Sequence, residues 1–188
     1  MHLVDERVGL MGSTAIVSGG VPIATGAALG FKLQGKDSVA MVFMGDGAVD
    51  EGVVYESLAF AALKKLAVIY VVENNGYATA SPVTNRQLLD NIWKRGEAFG
   101  VEGKRVDGND VMAVRDAAHH FVAKARRGDG EALRALRPFG GKDIVGRRLQ
   151  PLGAAKARLE GQQPLVVGQA QGLRQQMRGA AALVGVGV

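Results

Sequence analysis

Two runs of almost unbroken apolar residues, 38–44 and 67–72, constrain this chain more than anything else in it. A strand with one wet face alternates apolar and polar side chains, whereas a strand covered on both faces does not. Both runs therefore read as buried neighbours in a parallel sheet. Residues 51–65 between them read as a crossover helix, which completes a strand–helix–strand unit of the kind that is almost always right-handed. That helix carries Val53, Val54, Leu58, Phe60, Ala61 and Leu63 on more than one face, so it is expected to be largely covered.

Around this unit the chain reads as α/β, with a parallel twisted sheet and helices on both faces. Residues 1–20 are loop-like, with glycines at 9, 12, 19 and 20 around the apolar patch Ala15-Ile16-Val17. Residues 21–33 turn helical, with Pro22 in the first turn, where its missing N–H costs nothing. Gly26 and Gly30 give this helix a small-residue face, suited equally to internal packing or to a subunit interface. Asp50 is expected to cap the crossover helix. A polar loop follows Tyr77 until about Gln87, then a helix over residues 88–99 carrying Trp93. A short strand over 104–108 precedes a helix capped by Asn109 or Asp110 that runs to about Arg127. Its expected inner stripe is Val111, Val114, Ala118, Phe121, Val122 and Ala125. His119 and His120 read as surface or packing residues. The chain divides into residues 1–130, the α/β domain, and 131–188, a basic segment whose patterns lose definition; over 161–188 the sequence supports no packed structure.

Composition narrows the function classes. With 188 residues, 47% apolar and 22% charged, the chain is that of a soluble globular protein. It has no cysteine, which removes disulfides, thiolate metal sites and cysteine nucleophiles together. The N-terminus, with early acids, is not a signal peptide, and no apolar run nears the roughly 20 residues of a membrane span. A cytoplasmic location is the expectation. The net charge of +5 is uneven: residues 1–122 hold 11 Lys/Arg against 14 Asp/Glu (−3), and 123–188 hold 12 against 4 (+8). The core therefore has no electrostatic case for nucleic acid, and the basic segment lacks interleaved aromatics.

The chemistry sits where the two buried runs end. The first ends in Gly45-Asp46-Gly47-Ala48 and the second in Glu73-Asn74-Asn75-Gly76-Tyr77. In neighbouring parallel strands these ends share one sheet edge, the place where open α/β sheets bind ligands. Magnesium prefers six oxygens and usually takes one or two from carboxylates or carbonyls, with phosphates and water completing the shell. Asp46, the Asn75 amide oxygen and the Tyr77 backbone carbonyl suit such an ion. Gly47 and Ala48 offer backbone N–H groups to a diphosphate. The dinucleotide fingerprint is incomplete because position 50 is Asp, and no Gly-Lys-Ser/Thr marks a Walker loop.

Gly45-Asp46-Gly47 through Asn74-Asn75 resembles the thiamine-diphosphate motif. The flanking text narrows the resemblance to the alpha subunit of the two-subunit 2-oxo acid dehydrogenases, of the pyruvate, branched-chain and acetoin types. Matching segments include Met1-His2-Leu3, Val21-Pro22, Glu51-Gly52, Tyr55-Glu56-Ser57 and Arg105-Val106-Asp107-Gly108-Asn109-Asp110. The resemblance covers about residues 1–130 and implies the thiamine-diphosphate-binding fold. It implies that Asp46, Asn75 and the Tyr77 carbonyl hold magnesium, that Gly45, Gly47 and Ala48 contact the cofactor at its diphosphate end, and that the backbone at Ala15 and Val17 meets the aminopyrimidine. It implies oxidative decarboxylation with acyl transfer to a lipoyl-bearing acyltransferase, in a heterotetramer with a beta subunit and a second copy of this chain. The activating glutamate belongs to the beta subunit, so no catalytic residue is expected here. Neither nucleic acid nor a membrane is an expected partner.

The chain departs from that pattern in places. Ala59 and Ala67 stand where Asn and Pro are usual. Phe139-Gly140-Gly141-Lys142-Asp143 stands where a histidine-containing loop is expected, and the long N-terminal region that the resemblance leads one to expect before Met1-His2 is absent from this sequence. The expectation is a truncated alpha subunit. Its competitor is a non-catalytic fragment that keeps the cofactor motif and docks on partner chains.

Overall fold

The computed structural model describes residues 3–88 and 91–128, together with the backbone of 132–137 and 181–184. Expectations placed on Met1-His2, on Lys142 and its neighbours, and on most of 161–188 lie outside the described residues. The described residues belong to one compact unit.

In chain order the elements are β1 (Leu10–Gly12), α1 (Gly20–Leu33), β2 (Val39–Gly45), α2 (Gly52–Lys64), β3 (Val68–Glu73), the hairpin β4 (Tyr77–Ala78) and β5 (Ser81–Pro82), β6 (Glu102–Asp107), α3 (Val111–Arg126), β7 (Ala132–Arg137) and β8 (Ala181–Val184). Six strands form one sheet in the order β1-β8-β2-β3-β7-β6, and every neighbouring pair is parallel. The expected α/β architecture is present.

The sheet's centre explains the sequence pattern. Five of the seven residues of β2 and five of the six of β3 are buried. Ala40, Val42 and Met44 join Val68, Tyr70 and Val72 on the face covered by Val21, Ala24 and Ala28 of α1 and Val54, Leu58 and Ala61 of α2. The alternate side chains Val39, Met41, Ile69 and Val71 are also buried, and α3 packs on this sheet with Ala117, Ala118, Phe121 and Ala125 inward. Both faces are sealed, so alternation is lost. A buried bond ties the first face together: the Tyr70 hydroxyl lies 2.8 Å from Thr25 Oγ1 of α1 and donates to the Ser57 carbonyl of α2 at 3.3 Å.

Five local expectations are corrected. Residues 181–184 (Ala181–Val184), where no packed structure is expected from sequence, form a strand between β1 and β2. Among the described residues helix α2 is not covered all round, since Leu63 is 76% exposed and Phe60 faces partly outward, while Val54, Leu58 and Ala61 face the core. Val111 is 73% exposed, because it opens α3 before the helix reaches the sheet and the inward stripe starts later. Residues 92–99 (Ile92–Phe99) form a 3-10 helix rather than a longer α-helix from Leu88, which is fully exposed. Asp50 does not cap α2: Glu51 holds that position without a side-chain bond, and Asp50 is engaged elsewhere. Asp110 does cap α3, accepting from the N–H groups of Met112 and Ala113 at 3.0 Å.

Candidate functional site

Parallel pairing brings the carboxyl ends of β1, β2 and β3 to one edge of the sheet. The register joins Gly45 to Glu73 as the last pair, so Asp46 and Asn74 stand one step beyond it. Asn75 follows by one residue. The loop after β1 carries Ala15 and Val17, both exposed, to the same edge.

Asp46 is 1% exposed. Burial of a carboxylate is costly unless it is paired. One oxygen, Oδ2, accepts from Arg86 Nη2, while Oδ1 is buried with no hydrogen-bond partner among the described residues. A buried, orphaned carboxylate oxygen is rare in native proteins and asks for a donor or an ion.

Gly47 follows at a tight approach. A Cβ placed there would stand 2.5 Å from the Ala78 Cβ of β4, a separation side chains do not tolerate. Only glycine lets the β2 turn press against the hairpin. Gly47 leads into a 3-10 turn over Ala48–Asp50, closed by Asp50 N–H to Gly47 O and Glu51 N–H to Ala48 O, both 3.2 Å. The leading N–H groups of a helical turn have no acceptor within the turn.

The loop that holds Ala15 and Val17 is fastened to that turn by Ser18. This residue is fully buried, adopts φ 59°, and donates from its hydroxyl to the Ala48 carbonyl at 2.6 Å. Ala15, Val17, Gly47 and Ala48 are therefore held by one connection. On the β3 side, Asn75 Oδ1 accepts from Tyr77 N–H at 2.8 Å and Asn74 Oδ1 accepts from Gly76 N–H at 3.0 Å. Gly76 itself has φ 82°. Two successive side-chain turns thus fold the chain back so that Tyr77 and Ala78 reach the β2 turn. Asn74 is buried and Asn75 is exposed.

Glu73 ends β3 just beneath these turns. Its side chain keeps contact with solvent, but the protein atoms packed around the strand end desolvate the carboxyl and hold its pKa above the ordinary carboxylate value.

All eight residues singled out from sequence, Ala15, Val17, Gly45, Asp46, Gly47, Ala48, Asn75 and Tyr77, lie at this edge. Arg86, Gln87, Arg95 and Tyr55 were missed. Asp50 Oδ2 accepts from Arg86 at 2.5 Å, and Asp50 Oδ1 accepts from Gln87 Nε2 at 3.0 Å and Arg95 Nη1 at 3.4 Å. Arg95 in turn donates to the Tyr55 hydroxyl at 2.6 Å. Nothing local marks these residues, because each partner lies 36–45 positions away along the chain.

The donor set fits a hard divalent ion. At one sheet edge it offers a buried carboxylate oxygen, an amide oxygen and a backbone carbonyl oxygen, the ligand types magnesium takes together with phosphate oxygens. Among the described residues no group of three or more His, Asp or Glu side chains suits a metal, so an ion here relies on mixed oxygens.

Comparison with known proteins agrees with the motif. The family profile described as "Dehydrogenase E1 component" matches residues 1–136. The alpha subunit of acetoin:2,6-dichlorophenolindophenol oxidoreductase from Cupriavidus necator is 42% identical over 133 residues, covering 71% of this chain and 40% of that protein. The pyruvate dehydrogenase E1 component subunit alpha of Rhizobium meliloti is 42% identical over 133 residues, covering 71% and 38%. The chloroplastic pyruvate dehydrogenase E1 component subunit alpha-3 of Arabidopsis thaliana is 41% identical over 139 residues, covering 71% and 32%. The chain spans two fifths or less of these relatives' length. With the match extending over most of the chain, and with the Gly45–Tyr77 edge built as described, this protein belongs to the dehydrogenase E1 component family.

Proposed function

We propose that this chain is the thiamine-diphosphate- and magnesium-binding part of an E1 alpha subunit, acting on a 2-oxo acid or acetoin and passing the acyl group to a lipoyl-bearing partner. The observation that carries the reading is the buried Asp46 carboxylate, with one oxygen unpartnered among the described residues at the carboxyl end of a parallel strand. Asp46 Oδ1, Asn75 Oδ1 and the Tyr77 carbonyl would hold the magnesium ion. Among the described residues Asn75 Oδ1 accepts one bond, from Tyr77 N–H, and an amide oxygen with two lone pairs keeps acceptor capacity. The backbone of Gly45, Gly47 and Ala48 would meet the diphosphate, and the loop at Ala15 and Val17 would meet the aminopyrimidine.

When bound, thiamine diphosphate supplies the carbon nucleophile and electron sink that decarboxylation needs. This chain's residues supply position. Ser18 fixes the ring-side loop to the diphosphate-side turn, and the Gly47–Ala78 approach fixes the two strand ends. No acid or base for the chemistry is assigned here; that role goes to a beta subunit in an alpha–beta heterotetramer with a second copy of this chain. A cytoplasmic location belongs to the same proposal; among the described residues no helix is long and apolar enough to cross a membrane.

A second reading is a non-catalytic chain that binds cofactor and docks. The α1 face that carries Gly26 and Gly30 favours docking: among the described residues, a Cβ at either glycine would meet nothing within 4 Å. Reconstitution separates the two readings. The chain is co-purified with the beta subunit of a pyruvate- or acetoin-type complex and assayed with pyruvate, branched-chain 2-oxo acids and acetoin, with and without thiamine diphosphate and magnesium. Cofactor-dependent turnover supports the enzyme subunit. A stable complex that binds cofactor and turns over none of these supports the second reading.

A further inference from the structure

Arg86 stands outside the Gly45–Asn75 motif, yet among the described residues it is the side chain that hydrogen-bonds the buried carboxylate at the motif's centre. The turn Val83–Asn85 delivers it, with Arg86 N–H donating to the Val83 carbonyl at 3.0 Å. Its side chain is 17% exposed, and its fork bridges two carboxylates: Nη2 to Asp46 Oδ2 and Nη1 to Asp50 Oδ2. Nη1 also lies 3.7 Å from where a Gly47 Cβ would stand, which places the guanidinium against the β2 turn.

Two features of this bridge point to a role. First, it pins Asp46 by one oxygen and leaves the other unpartnered, which fixes which oxygen is available and where it points. Groups that hold a ligating carboxylate by its spare oxygen orient it for an ion, and losing them typically costs 10–100-fold in affinity. Second, Asp50 does not need Arg86 for charge balance, because Arg95 and Gln87 already hold its other oxygen. The network Tyr55–Arg95–Asp50 therefore acts as a fixed post from which Arg86 reaches Asp46. A planar, always-charged fork suits such bridging; a lysine ammonium is a single point.

The same positive charge sets a condition. A lone divalent cation approaching Asp46 Oδ1 meets a guanidinium on the neighbouring oxygen, and like charges in a partly desolvated site repel strongly. A diphosphate brings the negative charge that offsets both. We infer that Arg86 is a positioning residue that presents Asp46 Oδ1 to the metal and makes cation binding depend on the diphosphate. This rests on the cofactor assignment proposed above.

The test uses the full chain co-expressed with a beta subunit. Manganese binding is followed by electron paramagnetic resonance, without and with thiamine diphosphate. Thiamine diphosphate affinity in saturating magnesium is measured by calorimetry. For Arg86→Gln the expected result is a loss of about tenfold or more in thiamine diphosphate affinity, with manganese-only binding unchanged or tighter. Arg86→Lys should recover part of the loss. Because Arg86→Gln strands a buried carboxylate and could fail to fold, Asp50→Asn supplies an independent arm: it removes the far anchor and should weaken thiamine diphosphate in the same direction by a smaller factor. Thiamine diphosphate affinity equal to wild type in Arg86→Gln, Arg86→Lys and Asp50→Asn would overturn the inference. So would tighter binding of metal and cofactor together in Arg86→Gln, which would make Arg86 a competitor for the ion's place. If wild type itself binds no thiamine diphosphate, the cofactor assignment fails, and this inference with it.

Discussion

The Ser18 hydroxyl donates to the Ala48 carbonyl at 2.6 Å, joining the loop after β1 to the turn after β2 out of reach of solvent. Ser18 holds a left-handed backbone at φ 59°, a conformation that costs a non-glycine residue about 1–2 kcal/mol. Ser18→Ala keeps that strain and strands a buried carbonyl, so it should destabilise the fold by about 1–3 kcal/mol. Ser18→Gly loses the same bond but relieves the strain and should cost less. Urea denaturation of the three proteins checks the ranking; Ser18→Ala matching wild type would contradict it.

Gly47 and Ala78 share too little space for two methyl groups. Gly47→Ala should destabilise by about 1–3 kcal/mol, the usual cost of overpacking, and should weaken any ligand held at the β2 turn. The double change Gly47→Ala with Ala78→Gly frees the contested volume. A double-mutant cycle by thermal denaturation should therefore show strong coupling, with the second change returning part of what the first removes.

Tyr70 is the polar pin of the core. Its hydroxyl engages Thr25 of α1 and the Ser57 carbonyl of α2 from within β3. Tyr70→Phe leaves both partners buried, with a cost of about 1–2 kcal/mol. Thr25→Val made on top of Tyr70→Phe should cost less than Thr25→Val alone, because the shared bond is already gone. Equilibrium unfolding of the three variants checks this.

Glu73 gives the fold a pH dependence of definite sign. Desolvation raises its folded-state pKa above the ordinary value, so the folded chain disfavours the ionised form more than the unfolded chain does. That contribution is fully present below the unfolded-state pKa and is lost as pH rises through the folded-state pKa. Glu73→Gln should therefore match wild type in acid and exceed it in melting temperature near neutral pH. A melting-temperature difference that does not change with pH would contradict this.

The strand–helix–strand unit was legible because burial on both faces writes itself as an unbroken apolar run. The observed strands Val39–Gly45 and Val68–Glu73 differ from the expected runs by one residue at their ends. The turn residues Asp46, Gly47 and Asn75 were legible because glycine, aspartate and asparagine at strand ends have few reasons to be there besides turns and ligands. Arg86 and the engagement of Asp50 were not, because an ion pair across 36 or 40 positions leaves no periodicity. Asp50 looked like a cap since a cap is a local event and its true partners are remote. Leu63 and Val111 looked inward because apolar spacing says which residues can be covered, and only the packing says which ones are.

The most direct measurement is calorimetric titration of thiamine diphosphate into the chain co-expressed with a beta subunit of a pyruvate- or acetoin-type complex, with magnesium present and withheld. Wild type should bind, with magnesium tightening binding by more than about tenfold, and Asp46→Ala should lose that dependence. Binding by Asp46→Ala indistinguishable from wild type, or no binding by wild type in either condition, would contradict the assignment of the Gly45–Tyr77 edge as a metal–diphosphate site.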